Sequence, residues 1–213
     1  MRHPFAALIA LTLSTQAVSA ETFFADVWAD NWFDMRIDGA LVAEDSVPIT
    51  TERSFNAESF SFDADRPFVI GLTAKDFIEN DTGLEYIGSR RQQMGDGGLI
   101  LQIRDAAGDV FAVSDESWQC LVVHAAPLDT SCENVPEPIA GEGACTFEIL
   151  DEPEGWSAPD FDASAWDPAT VHSEAAVDPK DGYDRITWTD EARFIWGPDL
   201  ERHNTVLCRL TVE

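Results

Sequence analysis

The run DPKDGYD places Asp178, Asp181 and Asp184 around a glycine, and ADNWFD places Asp30 and Asp34 beside an alternating segment. Carboxylates gathered in this way suit a hard divalent cation, since calcium takes six to eight oxygen ligands at about 2.3–2.6 Å. Neither run has EF-hand spacing. Asp30 is the better member of its pair because it lies in a turn, whereas Asp34 falls on the polar side of the strand that follows. The expected metal ligands are therefore Asp30, Asp178, Asp181 and Asp184, with structural calcium as the cofactor and no organic cofactor. A solvated acidic face is the alternative reading of the same residues.

A second group is aromatic and polar. Trp28 and Trp32 flank Asn31, and Arg90-Arg91 interrupts a glycine-rich stretch. Sugar recognition needs an aromatic plane for the apolar face of the ring and amide, carboxylate or guanidinium groups for its hydroxyls. Trp28, Asn31, Trp32, Arg90 and Arg91 are the expected ligand-binding residues on that basis. His124, His172 and His203 have no ligand spacing, and GxSxG, HExxH and a phosphate-cradling glycine loop are absent. Forty acidic residues make a pair at glycosidase separation easy to find by chance, so no catalytic residue is assigned.

The charge balance narrows the partners. Thirteen Lys and Arg stand against forty Asp and Glu, a formal net charge of −27, which disfavours nucleic acid and anionic lipid. Residues 1–20, MRHPFAALIALTLSTQAVSA, have a basic start, a short apolar stretch and small residues before Glu21, the layout of a cleaved export signal. That stretch is shorter than the roughly 18–20 residues that cross a bilayer, so stable membrane insertion is not expected. A periplasmic or extracellular location follows. Cys120, Cys132, Cys145 and Cys208 can then form two disulfides in three pairings. The favoured one is nested: Cys132 with Cys145 closes a Pro/Gly-rich loop, and Cys120 with Cys208 ties the last alternating run to the middle of the chain.

These residues need strands to position them. Trp32, Asp34 and Arg36 alternate with Phe33, Met35 and Ile37, and Asp38-Gly39 supplies a tight reversal into residues 41–43. Phe60 and Phe62 alternate, Pro67 breaks the pattern, and an apolar run follows from Phe68 to Leu72. Leu99, Leu101 and Ile103 share one side of a strand, as do Val206, Cys208, Leu210 and Val212 of another. Residues 79–98 and 124–144 read as long loop excursions, the first with room for a short uncapped helix over 84–94. Sheet pattern resumes at 145–150. Residues 151–184 are acidic and irregular, yet Trp156, Phe161 and Trp166 recur there, which excludes an ordinary solvated tail.

Many short alternating strands joined by Gly, Pro and Asp turns predict an all-β antiparallel sandwich, with residues 21–213 as a single domain carrying two long loop insertions. ADNWFDMRIDGALVAED, then GWSAPDFDASAWDPA, ARFIWGPD and NTVLCRLTV, in that order, resemble the galactose-binding-like β-sandwich (jelly-roll) modules of secreted carbohydrate-active proteins. The resemblance leaves residues 80–97 and 125–143 uncovered. It implies a jelly-roll sandwich in which Trp156, Trp166 and Trp196 are structural, without implying galactose as ligand. The expected function is a secreted non-catalytic module that recognises a neutral glycan or an extracytoplasmic protein. The alternatives are a polysaccharide hydrolase or lyase with a carboxylate-lined cleft, and a structural module without a small ligand.

Overall fold

The computed structural model describes residues 20–213, so the expected export signal lies outside the described residues except for Ala20. The strands in chain order are β1 (Glu21–Asp30), β2 (Trp32–Ile37), β3 (Ala40–Glu44), β4 (Asn56–Ala64), β5 (Phe68–Lys75), β6 (Leu84–Glu85), β7 (Gln93–Met94) and β8 (Gly98–Arg104). They continue as β9 (Val110–Val113), β10 (Gln119–Ala125), β11 (Glu148–Ile149), β12 (Asp167–Pro168), β13 (Thr170–His172), β14 (Phe194–Trp196) and β15 (His203–Val212). A four-residue helix, α1 (Glu174–Val177), follows β13.

Two antiparallel sheets form a sandwich-like arrangement. The first runs β13-β14-β8-β1-β4, with β9 also on β8; the second runs β11-β10-β15-β5-β2-β3, with β12 also on β10. Alternation explains the layers. Phe23, Ala25, Val27 and Ala29 of β1 and Leu99, Leu101 and Ile103 of β8 turn inward to meet Phe33, Met35, Ile70, Leu72, Val206 and Cys208 from the second sheet. Each fully buried large side chain among them contributes roughly 1.5–3 kcal/mol. The β2–β3 hairpin turns at Asp38 and Gly39, both at positive φ (49° and 85°), the pair of angles that a two-residue turn matched to strand twist requires.

The outer faces are covered too. Trp28 and Ile100 of the first sheet pack with Val177, Ala192 and Phe194, and Phe55, Tyr183 and Trp188 lean on them. On the second sheet, Val123 and Leu207 pack with Trp156, against which Leu121, Phe161 and Trp166 rest. The acidic excursion after residue 150 is thus a cover strapped across the sheet by its aromatic residues. Arg209 pins it, donating from Nη1 to the Phe161 carbonyl and from Nη2 to the Ala158 carbonyl, both at 3.0 Å.

Both disulfides have the nested pairing, Cys120–Cys208 and Cys132–Cys145. Cys120 and Cys208 are direct cross-strand neighbours in β10 and β15. Two disulfides fit an oxidising, exported environment, and no helix among the described residues is long and apolar enough to cross a membrane. Two local expectations need correction. Residues 84–94 form no helix; their ends pair as β6 and β7, because Leu84 is drawn into a small core while the intervening residues turn in the open. Residues 145–150 supply only the two-residue β11, held at the edge by His124 and Ala125.

Candidate functional site

Strand register determines which loops meet. Ala29 faces Asn56 across β1 and β4, Asp30 faces Gly98 across β1 and β8, and Trp32 faces Lys75 across β2 and β5. The end of β1, the starts of β2, β4 and β8 and the end of β5 therefore share one end of the sandwich. Asn31 carries the chain between the layers there and is clamped on three sides. Its N–H donates to the Lys75 carbonyl at 2.7 Å, its side-chain oxygen accepts from the Phe77 N–H at 2.6 Å, and its side-chain amide donates to the Glu52 carbonyl at 3.3 Å.

A cleft of about 680 Å³ opens at this end, within the size range of small-molecule sites. One wall is the loop before β4, with Glu52, Arg53 and Phe55; another is the loop between β5 and β8, with Glu85, Tyr86, Arg91, Gln93 and Asp96; the third is the turn after α1, from Pro179 to Arg185. Charge inside the cleft is nearly balanced. Arg53, Arg91, Lys180 and Arg185 face Glu52, Glu85, Asp96, Asp181 and Asp184, so almost a third of the thirteen basic residues gather here in a chain of net charge −27. The Arg91 guanidinium lies 4.0 Å from the centre of the Tyr86 ring and donates to the Tyr86 hydroxyl at 2.7 Å, which makes a stiff planar pair.

The wall that carries Tyr86 and Arg91 is braced from behind. Leu84 is buried with Cys132 and Cys145, and Ile87, Met94 and Val135 close over them. The Gln92 side-chain amide donates to the carbonyls of Glu133 and Val135, each at 2.8 Å. The two long excursions are therefore one unit, with the Cys132–Cys145 disulfide as its spine.

Beneath the cleft three carboxylates converge. Asp30 ends β1, Asp76 follows the last residue of β5, and Asp96 sits two residues before β8. One oxygen of each lies within 4.8 Å of the others. Asp30 is fully buried and Asp76 is 3% exposed. Burial pushes both carboxyls well above the ordinary range. Asp96 and Asp76 add to the effect on Asp30, while Lys180 opposes it; Glu85 and Asp96 add to the effect on Asp76. The Phe77 and Asp96 N–H groups partly offset the rise at Asp76 without closing a hydrogen bond to it. Asp96 is raised as well, by burial first. Glu85 is pushed up to about 7 by burial, against the 2.9 Å hydrogen bond that its carboxylate accepts from Gln93. The backbone shapes this floor, because a Cβ on Gly95 would fall 1.8 Å from an Asp76 oxygen.

The predicted ligand-binding residues divide. Arg91 lines the cleft, and Arg90 is exposed beside it. Trp28 is fully buried under the cleft, where its indole N–H donates to the Asp181 carbonyl at 3.2 Å and so holds the third wall. Asn31 is buried with its donors and acceptor engaged, and Trp32 lies under the Lys75 ammonium at 5.2 Å. Of the predicted metal ligands, Asp30 joins the buried cluster, whereas Asp178, Asp181 and Asp184 are exposed on the turn after α1. Asp178 accepts from Lys180 at 2.9 Å. Asp76, Glu85 and Asp96 were missed by the sequence reading. Asp76 is signalled in the sequence only by standing one residue beyond the run FVIGLTA, and Asp96 only by the glycines around it in MGDGG; Glu85 has no such signal. Comparison of the chain with family models, curated proteins and solved structures gave no match.

Proposed function

We propose that this protein is an exported, non-catalytic β-sandwich module that binds a neutral, hydroxyl-rich ligand, a glycan, in the cleft between residues 52–55, 85–96 and 179–185. The observation that carries this reading is the charge-balanced lining. Guanidinium, ammonium, amide and carboxylate groups alternate around the Tyr86–Arg91 plane, offering donors and acceptors to hydroxyls and an aromatic face to the ring carbons. An anionic polymer would meet five cleft carboxylates within a strongly acidic molecule, which favours an uncharged ligand. The order of the resembling segments supports a galactose-binding-like jelly roll as the architecture behind this function.

The test is calorimetry of the purified protein against a panel of neutral oligosaccharides, with reducing-end release measured in parallel. Binding to at least one glycan is expected, weakened about tenfold by Tyr86→Ala through loss of the ring contact. Absence of heat across the panel would refute the glycan reading. Steady release of reducing ends would replace the non-catalytic module with a hydrolase.

A further inference from the structure

The floor of the cleft poses a separate problem. Both oxygens of Asp30 and both oxygens of Asp76 are buried without a hydrogen-bond partner. Folded proteins rarely leave such atoms unmatched, because a buried polar group without a partner loses its hydration and gains nothing in return. Four of them here sit on two side chains that converge with a third carboxylate, Asp96.

Neighbouring groups resolve this only in part: the Phe77 and Asp96 N–H groups favour the Asp76 carboxylate, but the Phe77 N–H is already given to Asn31 and no comparable donor serves Asp30. Lys180 is the basic residue nearest the cluster, but its ammonium is 3.8 Å from Asp96 and is engaged more closely by the carbonyl and carboxylate of Asp178, at 2.6 and 2.9 Å. Its side chain is 37% exposed, so it caps the rim without neutralising Asp30 and Asp76. A proton shared between two of these carboxyls would supply one O–H donor and remove one charge, yet would still leave other oxygens of Asp30 and Asp76 without partners. The Gly95 backbone packed onto Asp76 leaves little room for the carboxyl to swing toward another group.

We infer that Asp30, Asp76 and Asp96 form a divalent cation site, with calcium as its ion. The donor set is entirely carboxylate oxygen, which suits a hard cation and not a thiophilic or imidazole-seeking one. A mutual separation within 4.8 Å lets one ion reach an oxygen of all three carboxylates, since ligands across a calcium ion at about 2.4 Å each stand at most about 4.8 Å apart. Magnesium is usually held by one or two carboxylates and keeps several waters, whereas three converging carboxylates, two of them buried, suit the larger and more flexible shell of calcium. Two ligands end strands of opposite sheets and the third precedes a strand of the first sheet, so a bound ion ties both layers and the cleft loop at one point. The inference is independent of the glycan reading, because the ion can be titrated with no sugar present.

The experiment is calorimetric titration of chelator-stripped protein with calcium chloride alone, magnesium chloride alone and manganese chloride alone, together with thermal melts. One calcium per chain is expected, with a rise in Tm of roughly 5–10 °C at about a hundredfold excess of ion over Kd. Asp76→Asn is expected to weaken calcium binding at least about a hundredfold, since one of three charged ligands becomes an amide. Asp178→Asn, on the exposed turn, is expected to leave binding intact. If Asp76→Asn fails to fold, Asp96→Asn at the more open edge of the cluster gives the same readout. The inference is overturned if none of the ions produces heat or a Tm shift at millimolar concentration, or if binding persists undiminished in both variants. Magnesium or manganese binding as tight as calcium would overturn the assignment to calcium.

Discussion

Gly83 is where the two long loops lock together, and replacing it tests whether that lock holds the cleft wall. Its φ is +72°, and a Cβ there would lie 2.0 Å from the Ala126 carbonyl oxygen and 2.3 Å from the carbonyl carbon. Backbone atoms cannot rotate aside as a side chain can. Gly83→Ala therefore combines a left-handed conformation, costing about 1–2 kcal/mol, with a steric overlap of about 1–3 kcal/mol. The sum is roughly 2–5 kcal/mol, a fall in Tm of about 5–15 °C for a domain of this size. Gly88 provides the control: its φ is +74° and nothing lies within 4 Å of its Cβ position, so Gly88→Ala should show the conformational part alone, about 2–6 °C. Thermal melts compare the two variants, and hydrogen exchange over residues 79–97 reports whether the loop detaches locally in Gly83→Ala. Equal losses in the two variants, with equal exchange, would mean that the contact with Ala126 carries no load and that the loops are not coupled as described.

Two further outcomes are expected. Replacing Cys132 and Cys145 together by serine opens a 13-residue separation, which should lower stability by about 3 kcal/mol; mass-spectrometric hydrogen exchange should quicken over residues 84–94 while β15 stays protected. Asp45 is 5% exposed, and burial chiefly pushes its carboxyl up to about 6 from 3.8, assisted by Glu58 and opposed by the Val47 N–H. A carboxyl raised in the folded state favours folding when protonated, so its contribution fades as pH climbs from about 4 through 6. Asp45→Asn keeps the Oδ1 acceptor for Val47, and urea denaturation should show it about 1–2 kcal/mol more stable than wild type at pH 8 and no better below pH 4.

The fold was legible where one face of a strand had to be apolar. In β2, Phe33, Met35 and Ile37 are all buried against the opposite sheet, as their alternation requires. Residues 84–94 were harder, since Leu84 is held by Cys132 and Cys145, contacts that lie about fifty residues further along the chain and leave no local period. The site was legible only in part for the same reason. Asp30 stood out because a turn was expected there, whereas it is the last residue of β1; its partners Asp76 and Asp96 come from two other strand ends, and no fixed spacing connects them. Trp28 was read as a binding plane from its proximity to Asn31. Its neighbours Phe55, Tyr183 and Phe194 arrive from three distant segments and bury it.

The position of β15 also governs when the molecule can take shape. Residues 203–212 are hydrogen-bonded between β10 on one side and β5 on the other, so no earlier segment can bridge those two strands. During synthesis the second layer must stay split until this stretch has left the ribosome.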